Sequence, residues 1–163
     1  MASALIALGG NVGNVRATFA RAIPDICHAA RAKLSARSSD YLTPPWGDLQ
    51  QPAFVNACIS IETELDPKAL LSVLQEIERK FGRDRLKERR WGPRTLDLDL
   101  IAYDDVRLDK PELTLPHPRL FERAFVLVPL VEIAPERVIA GRRVGDMLAQ
   151  LSTEGIQRLP DLD

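Results

Sequence analysis

Phe54-Val-Asn-Ala-Cys-Ile-Ser-Ile-Glu-Thr63, with the run from Asp66-Pro67 to Gly82 behind it, changes its hydrophobic period in mid-course. The first ten residues alternate. Val55, Ala57, Ile59 and Ile61 share one face, and Phe54, Asn56, Cys58, Ser60 and Glu62 share the other, as in a half-buried strand. After Asp66 the period becomes helical, with Leu70, Leu74, Ile77 and Phe81 in one stripe. Asp66 is a helix cap, Pro67 suits the first helical position, and Gly82 is a terminator.

Upstream, Ala4–Leu8 is wholly apolar and ends in Gly9-Gly10, which predicts a buried strand and then a tight turn. Asn14 caps a helix carrying Val15, Phe19, Ala22 and Ile26, which Pro24 is expected to kink or to end in its first part. Residues 36–42 read as a second strand, stopped by Thr43-Pro44-Pro45. Downstream, residues 96–102 form a fourth. The order β-α-β-β-α-β predicts an α+β fold, the ferredoxin-like split βαβ, with an antiparallel sheet and both helices on one face. Tyr103-Asp-Asp105 reads as a turn, and the remaining C-terminal residues add strands and helices, one helix near residues 144–151.

A length of 163 residues fits a single domain spanning 1–163. No apolar run approaches ~18 residues, so no membrane span is expected. The apolar N-terminus has no basic segment before it and reads as a strand rather than a signal peptide. Cys27 and Cys58, the only cysteines, make no disulfide framework and show no metal-ligand spacing, which suits a reducing cytoplasm.

The chemistry concentrates in Trp91-Gly-Pro-Arg-Thr-Leu-Asp-Leu-Asp-Leu-Ile101. In a strand, Thr95, Asp97, Asp99 and Ile101 share one face, and Leu96, Leu98, Leu100 and Ala102 the other. Two neighbouring acids repel unless a cation neutralises them, and magnesium binds through one or two carboxylates plus substrate phosphates. The chain's net charge of −1 hides a segment, residues 79–94, that carries +6. Arg83, Arg85, Arg90 and Arg94 there can grip phosphate oxygens in bidentate fashion. Acids that hold metal beside bases that hold phosphate make a polyphosphate site, and residues 84–90 read as a loop that closes over nucleotide.

Residues 9–14 lack the glycine spacing of a dinucleotide fingerprint, and the chain has no P-loop. Phe54 and Asn56 offer an aromatic platform beside a carboxamide, suited to a flat heterocycle, with Thr43-Pro44-Pro45-Trp46 as a candidate wall. His117, between Pro116 and Pro118, is rigidly placed to meet phosphate or a metal's water shell, and Arg123 and Phe125 follow. A two-metal nucleotidyl or phosphoryl transferase could use the same acids. An RNA-binding module of this fold would need strand aromatics in a basic motif, which the chain lacks.

With Gly10-Asn11, Thr43-Pro44-Pro45, Phe54-Val-Asn56, Gln75-x-x-Glu78, Gly82-Arg83, Arg90-Trp-Gly-Pro-Arg-Thr-Leu-Asp-Leu-Asp99, Leu115-Pro-His117, Arg123-x-Phe125 and Glu132-Ile-Ala-Pro135, the chain resembles the hydroxymethyldihydropterin pyrophosphokinases. The resemblance runs nearly end to end. It implies attack by the hydroxymethyl oxygen of 6-hydroxymethyl-7,8-dihydropterin on the β-phosphorus of ATP, releasing AMP. It implies two magnesium ions on Asp97 and Asp99, with Arg83 and Arg94 stabilising the transferring group. Gln75, Glu78, Arg90, Trp91, Leu100, Thr114, His117 and Arg123 would serve ATP; Thr43, Pro45, Trp46, Phe54, Asn56 and Phe125 would hold the pterin. The expected state is a cytoplasmic monomer that binds neither nucleic acid nor membrane.

Overall fold

The computed structural model describes residues 1–45, 50–82 and 95–162. Trp46, Arg83, Arg90, Trp91, Arg94 and the expected closing loop at 84–90 lie outside the described residues. In order, the elements are β1 (Ala2–Gly10), α1 (Val15–Ala29), β2 (Lys33–Arg37), β3 (Tyr41–Thr43), β4 (Phe54–Thr63), α2 (Pro67–Lys80) and β5 (Asp97–Tyr103). There follow β6 (Leu108–Lys110), β7 (Leu113–Leu115), a 3-10 turn (Leu120–Glu122), α3 (Ala124–Ile133), β8 (Val138–Ile139), β9 (Arg142–Arg143), α4 (Val144–Leu148) and β10 (Gln157–Arg158).

The main sheet runs β10-β3-β4-β1-β5, with β2 also on β4, and its strand pairs are antiparallel. This is the expected ferredoxin-like arrangement. Both α1 and α2 pack on one face, where Phe19, Ile26, Leu70, Leu74 and Ile77 meet Ile6, Leu8, Ile59, Ile61, Leu98 and Leu100. The C-terminal part supplies a third layer. Leu5, Ala7, Cys58 and Ile101 on the sheet's other face pack against Val126, Leu127 and Leu130 of α3 and Val144 and Met147 of α4. Burial on both faces explains the unbroken apolar run of β1. Each large side chain buried there contributes about 1.5–3 kcal/mol. Among the described residues no helix is long and apolar enough to cross a membrane.

The local signals acted as expected at both helix starts. Ala17 N–H donates to the Asn14 side chain at 3.2 Å and Ala69 N–H to Asp66 at 2.8 Å, with Pro67 in the first turn. Gly82 takes a φ of 93°, a left-handed conformation that glycine adopts without strain.

Four expectations are corrected. Of the two outcomes expected at Pro24, a kink or an end, the end does not occur: helix α1 continues to Ala29, because Phe19, Ala22, Ile23 and Ile26 are all buried against the sheet and tertiary packing outweighs one missing N–H. The second strand is two, β2 and β3, parted at Ser38-Ser39-Asp40. Side chains take over part of the ladder there: Ser38 N–H still donates to Cys58 O, but Cys58 N–H donates to Ser38 Oγ, and Asp40 accepts from Arg16 and Arg37. Gly9 and Gly10 belong to β1 rather than to the turn after it. Finally, β5 carries a bulge: Leu5 faces Ala102 while Ile6 faces Leu100. The extra residue brings Ala102 to the α3 side beside Ile101, not to the leucine face.

Candidate active site

The two acids lie at the start of β5, half-buried, while Leu96, Leu98 and Leu100 fill the core behind them. Register places Asp97 opposite Gly9 and Gly9 opposite Asn56, so one row crosses β5, β1 and β4. The next row is Asp99, Ala7 and Cys58. Ala7 and Cys58 are covered by the third layer. The row with Gly9 lies further along, toward the C-terminal end of β1.

Gly9 is what makes that row work. A Cβ there would stand 2.8 Å from Asn56 Oδ1. The carboxamide therefore leans across the bare backbone of β1, and its Nδ2 donates to Thr43 Oγ1 at 2.7 Å. Thr43 and Asn56 are both buried. Pairing of Thr43 with Phe54 and of Tyr41 with Asn56 joins β3 to the same shelf. Asn11, just past β1, donates through Nδ2 to Gln51 Oε1 and Pro52 O, both at 2.9 Å, and ties the chain before β4 to the end of β1.

The N-terminus of α3 brings the counter-charge. Arg123 Nη1 lies 3.8 Å from Asp99 Oδ2, and its guanidinium sits 5.5 Å from the centre of the Phe125 ring. Among the described residues, the buried Arg123 Nε has no hydrogen-bond partner. His117 is fixed by the bulge: its N–H donates to Ile101 O at 2.9 Å. Burial and the positive charge of Arg123 push its pKa down to about 4, with Asp97 opposing. The ring is neutral near pH 7. Nδ1 accepts from Arg119 N–H at 3.2 Å, so Nε2 carries the proton and is a donor.

On the far side of β5, Glu78 is 2% exposed and its Oε2 accepts from Leu98 N–H at 2.8 Å. Leu98 lies between the two acids. The carboxylate satisfies a main-chain donor on the strand next to β1 and sets the register of Asp97 and Asp99. Gln75 is half-buried one helical turn earlier, and Thr114 half-buried on β7. Leu100 is 3% exposed with its side chain in the helical layer, so only its main chain is open to a ligand.

Asp97, Asp99, His117, Arg123 and Phe125 thus gather around the start of β5, and Thr43, Phe54 and Asn56 form the adjoining shelf. Pro45 lies half-buried beyond β3. Among the described residues no group of three or more His, Cys, Asp or Glu could hold a metal. Two oxygen-only side chains on one face still fit magnesium, which takes its other ligands from water and phosphate. Sequence reading missed Gly9 as a spacer, Asn11 as a tie and Glu78 as a strand-edge acceptor. A glycine inside a strand is a signal of close approach; Asn11 and Glu78 gave no local sign.

A protein-family model described as 7,8-dihydro-6-hydroxymethylpterin-pyrophosphokinase (HPPK) matches residues 5–135. A 2-amino-4-hydroxy-6-hydroxymethyldihydropteridine pyrophosphokinase of Methylorubrum extorquens is 46% identical over 98% of this chain and 99% of its own length. One of Pseudomonas aeruginosa is 41% identical over 95% of each. A solved HPPK-DHPS in complex with substrates superposes with a TM-score of 0.71 at 13% identity, over 92% of this chain. A Plasmodium falciparum HPPK-DHPS gives 0.68 at 13%, again over 92%. This chain spans 45% and 43% of those two solved chains, and the likeness concerns the fold.

Proposed function

We propose a division of labour among the site residues of a chain that belongs to the 7,8-dihydro-6-hydroxymethylpterin-pyrophosphokinase family. The chain is a pyrophosphokinase of folate biosynthesis that moves pyrophosphate from ATP to the hydroxymethyl group of 6-hydroxymethyl-7,8-dihydropterin, giving AMP and the pterin diphosphate. The assignments to individual residues are our reading.

Asp97 and Asp99 would hold two magnesium ions. Bound there, the metals supply charge neutralisation on the phosphate oxygens and alignment of the pterin hydroxyl. The supporting observation is the row Asn56–Gly9–Asp97, which puts a buried carboxamide and a carboxylate on either side of a strand residue that has no side chain. A flat acceptor lying on Gly9 would have its polar edge at Asn56 and its alcohol toward the acids.

Phe54 and Phe125 would stack the pterin ring, and Thr43, Pro45 and Trp46 would close its edge. Thr43 also holds the Asn56 carboxamide in one orientation. His117, neutral and donating from Nε2, would hydrogen-bond a phosphate oxygen without adding charge beside Arg123. Arg123 would bind phosphate through the guanidinium N–H groups that Asp99 leaves open. Arg83 and Arg94 would stabilise the transferring group, with Arg90 and Trp91 on the nucleotide. Gln75, Thr114 and the main chain of Leu100 would line the remainder of the ATP site, while Glu78 would act through β5. We read residues 1–163 as one domain working as a cytoplasmic monomer, apart from membrane and nucleic acid.

The test is product analysis. Protein incubated with ATP, magnesium and the hydroxymethyldihydropterin should yield AMP and pyrophosphorylated pterin, and a chelator should stop it. Formation of ADP would show phosphoryl rather than pyrophosphoryl transfer. Turnover unaffected by chelation would remove the metal assignment.

A further inference from the structure

The family model's match ends at residue 135, yet the last residues of the chain return to the edge of the acceptor shelf. β10 pairs with β3, Gln157 facing Leu42 and Arg158 facing Tyr41. The cross-strand row of the site therefore runs on to the tail, as Arg158, Tyr41, Asn56, Gly9 and Asp97. Leu159 N–H donates to Asp40 O at 2.9 Å, Arg158 Nε to Ser39 Oγ at 2.9 Å, and an Arg16 nitrogen to Pro160 O at 2.6 Å.

Just before β10 the tail turns. Ile156 N–H donates to Thr153 O at 3.1 Å, and Gly155 takes a φ of 83°. A Cβ on Gly155 would stand 2.8 Å from Pro44 Cγ and 3.6 Å from Pro44 Cδ. The proline ring is closed onto its own backbone nitrogen and cannot rotate away. Two residues along, the Gln157–Leu42 pairing prevents the tail from backing off. Pro44 lies between Thr43 and Pro45, the two residues proposed above to meet the acceptor.

We propose that the C-terminal tail is a positioning element for the acceptor pocket, with Gly155 seated against Pro44 to set the Thr43–Pro45 wall. The proposal rests on the reading of Thr43 and Pro45 as pterin contacts. It makes Gly155 a positioning residue: it touches no substrate and acts through Pro44.

The experiment is a double-mutant cycle on the full-length chain with Gly155→Ala, Pro44→Ala and the pair. KM is measured for pterin and for ATP, with thermal melts and amide hydrogen exchange of Tyr41–Thr43. Gly155→Ala alone should raise the pterin KM about ten-fold, the scale of a small misplacement of a binding group. The ATP KM should hold. In the Pro44→Ala background, which removes the atoms a Cβ would meet, the same change should cost less than about two-fold. The strain of alanine at positive φ is common to both backgrounds, so equal increments would overturn the proposal. So would an unchanged pterin KM in a folded Gly155→Ala protein. Amide exchange reads the tail without turnover. Faster exchange at Tyr41–Thr43 in Gly155→Ala but not in the double variant, in a wild type that does not use the pterin, would sustain the tail's hold on β3 and sink the acceptor assignment. Unchanged exchange would sink the tail's role.

Discussion

Gly9→Ala is the sharpest test of the shelf. The new methyl would meet Asn56 Oδ1 at 2.8 Å, where ordinary contact begins at 3.4 Å. The carboxamide must move by about 0.6 Å, because a close-packed interior leaves no slack. Its only escape is away from β1. That direction leads toward β3, because β4 lies between β1 and β3, and Thr43 Oγ1 already stands 2.7 Å from Asn56 Nδ2, so the carboxamide is caught between the two strands and must turn out of its hydrogen bond. Losing a buried hydrogen bond costs about 1 kcal/mol, and overpacking adds about 1–3 kcal/mol. Together these amount to roughly 2–4 kcal/mol, a fall in Tm on the order of 5–15 °C for a domain of this size. Binding should suffer separately. A displaced pterin-binding carboxamide worth about 1.4 kcal/mol raises the acceptor KM about ten-fold. The ATP KM should change little, since Gly9 lies on the acceptor side of Asp97. Calorimetry gives the first quantity and initial rates against each substrate the second. An acceptor KM unmoved in the alanine variant would refute the idea that Asn56 and the bare strand together seat the pterin. An equal rise in both KM values would show a general disturbance instead.

Asp97→Asn and Asp99→Asn should each abolish magnesium-dependent turnover; retained turnover in either would remove that residue from the metal set. Asp97→Asn should leave Tm unchanged or raised, since it removes one of two mutually repelling charges, whereas Asp99→Asn also takes the counter-charge from Arg123 and should offset that gain. Glu78→Leu should cost about 1–3 kcal/mol, the penalty for leaving the buried Leu98 N–H without its acceptor, and Glu78→Gln should restore most of it. Denaturant melts measure this, and equal stability of the leucine variant and wild type would end the strand-edge role. His117 gives a pH signature in the apo protein. With a folded pKa near 4 and an ordinary unfolded value of 6.5, the unfolded chain takes up a proton that the folded chain refuses. No penalty operates above pH 6.5; it grows as pH falls and levels off below 4, at roughly 3 kcal/mol. His117→Gln should lose less stability than wild type between pH 7 and 4.5. Parallel pH profiles would show that the folded protein protonates His117 freely.

Much of the site could be read from the chain because its signals are local. The spacing of Asp97 and Asp99 on a strand needs only the two-residue period, and Phe54 with Asn56 needs only the same rule. The charge of residues 79–94 is visible without any fold. What was read wrongly came from competition with distant partners. The break at Ser38–Asp40 follows from Arg16 and Cys58, and the persistence of α1 through Pro24 follows from burial under the sheet. The bulge at Ile101 sets the final direction of Ala102 and supplies the carbonyl that fixes His117.

The sequence by itself determined the order of strands and helices, the caps at Asn14 and Asp66, the family, and the pairing of an acidic strand with a basic segment. Each depends on periodicity or on chemistry within a few residues. Only the tertiary structure decided that Gly9 is the gap between Asn56 and Asp97, that Glu78 holds β5 from behind, that Arg123 answers Asp99, and that the tail reaches Pro44. Those contacts join residues tens of positions apart. Their energies arise from register and packing across the sheet, which no local propensity records.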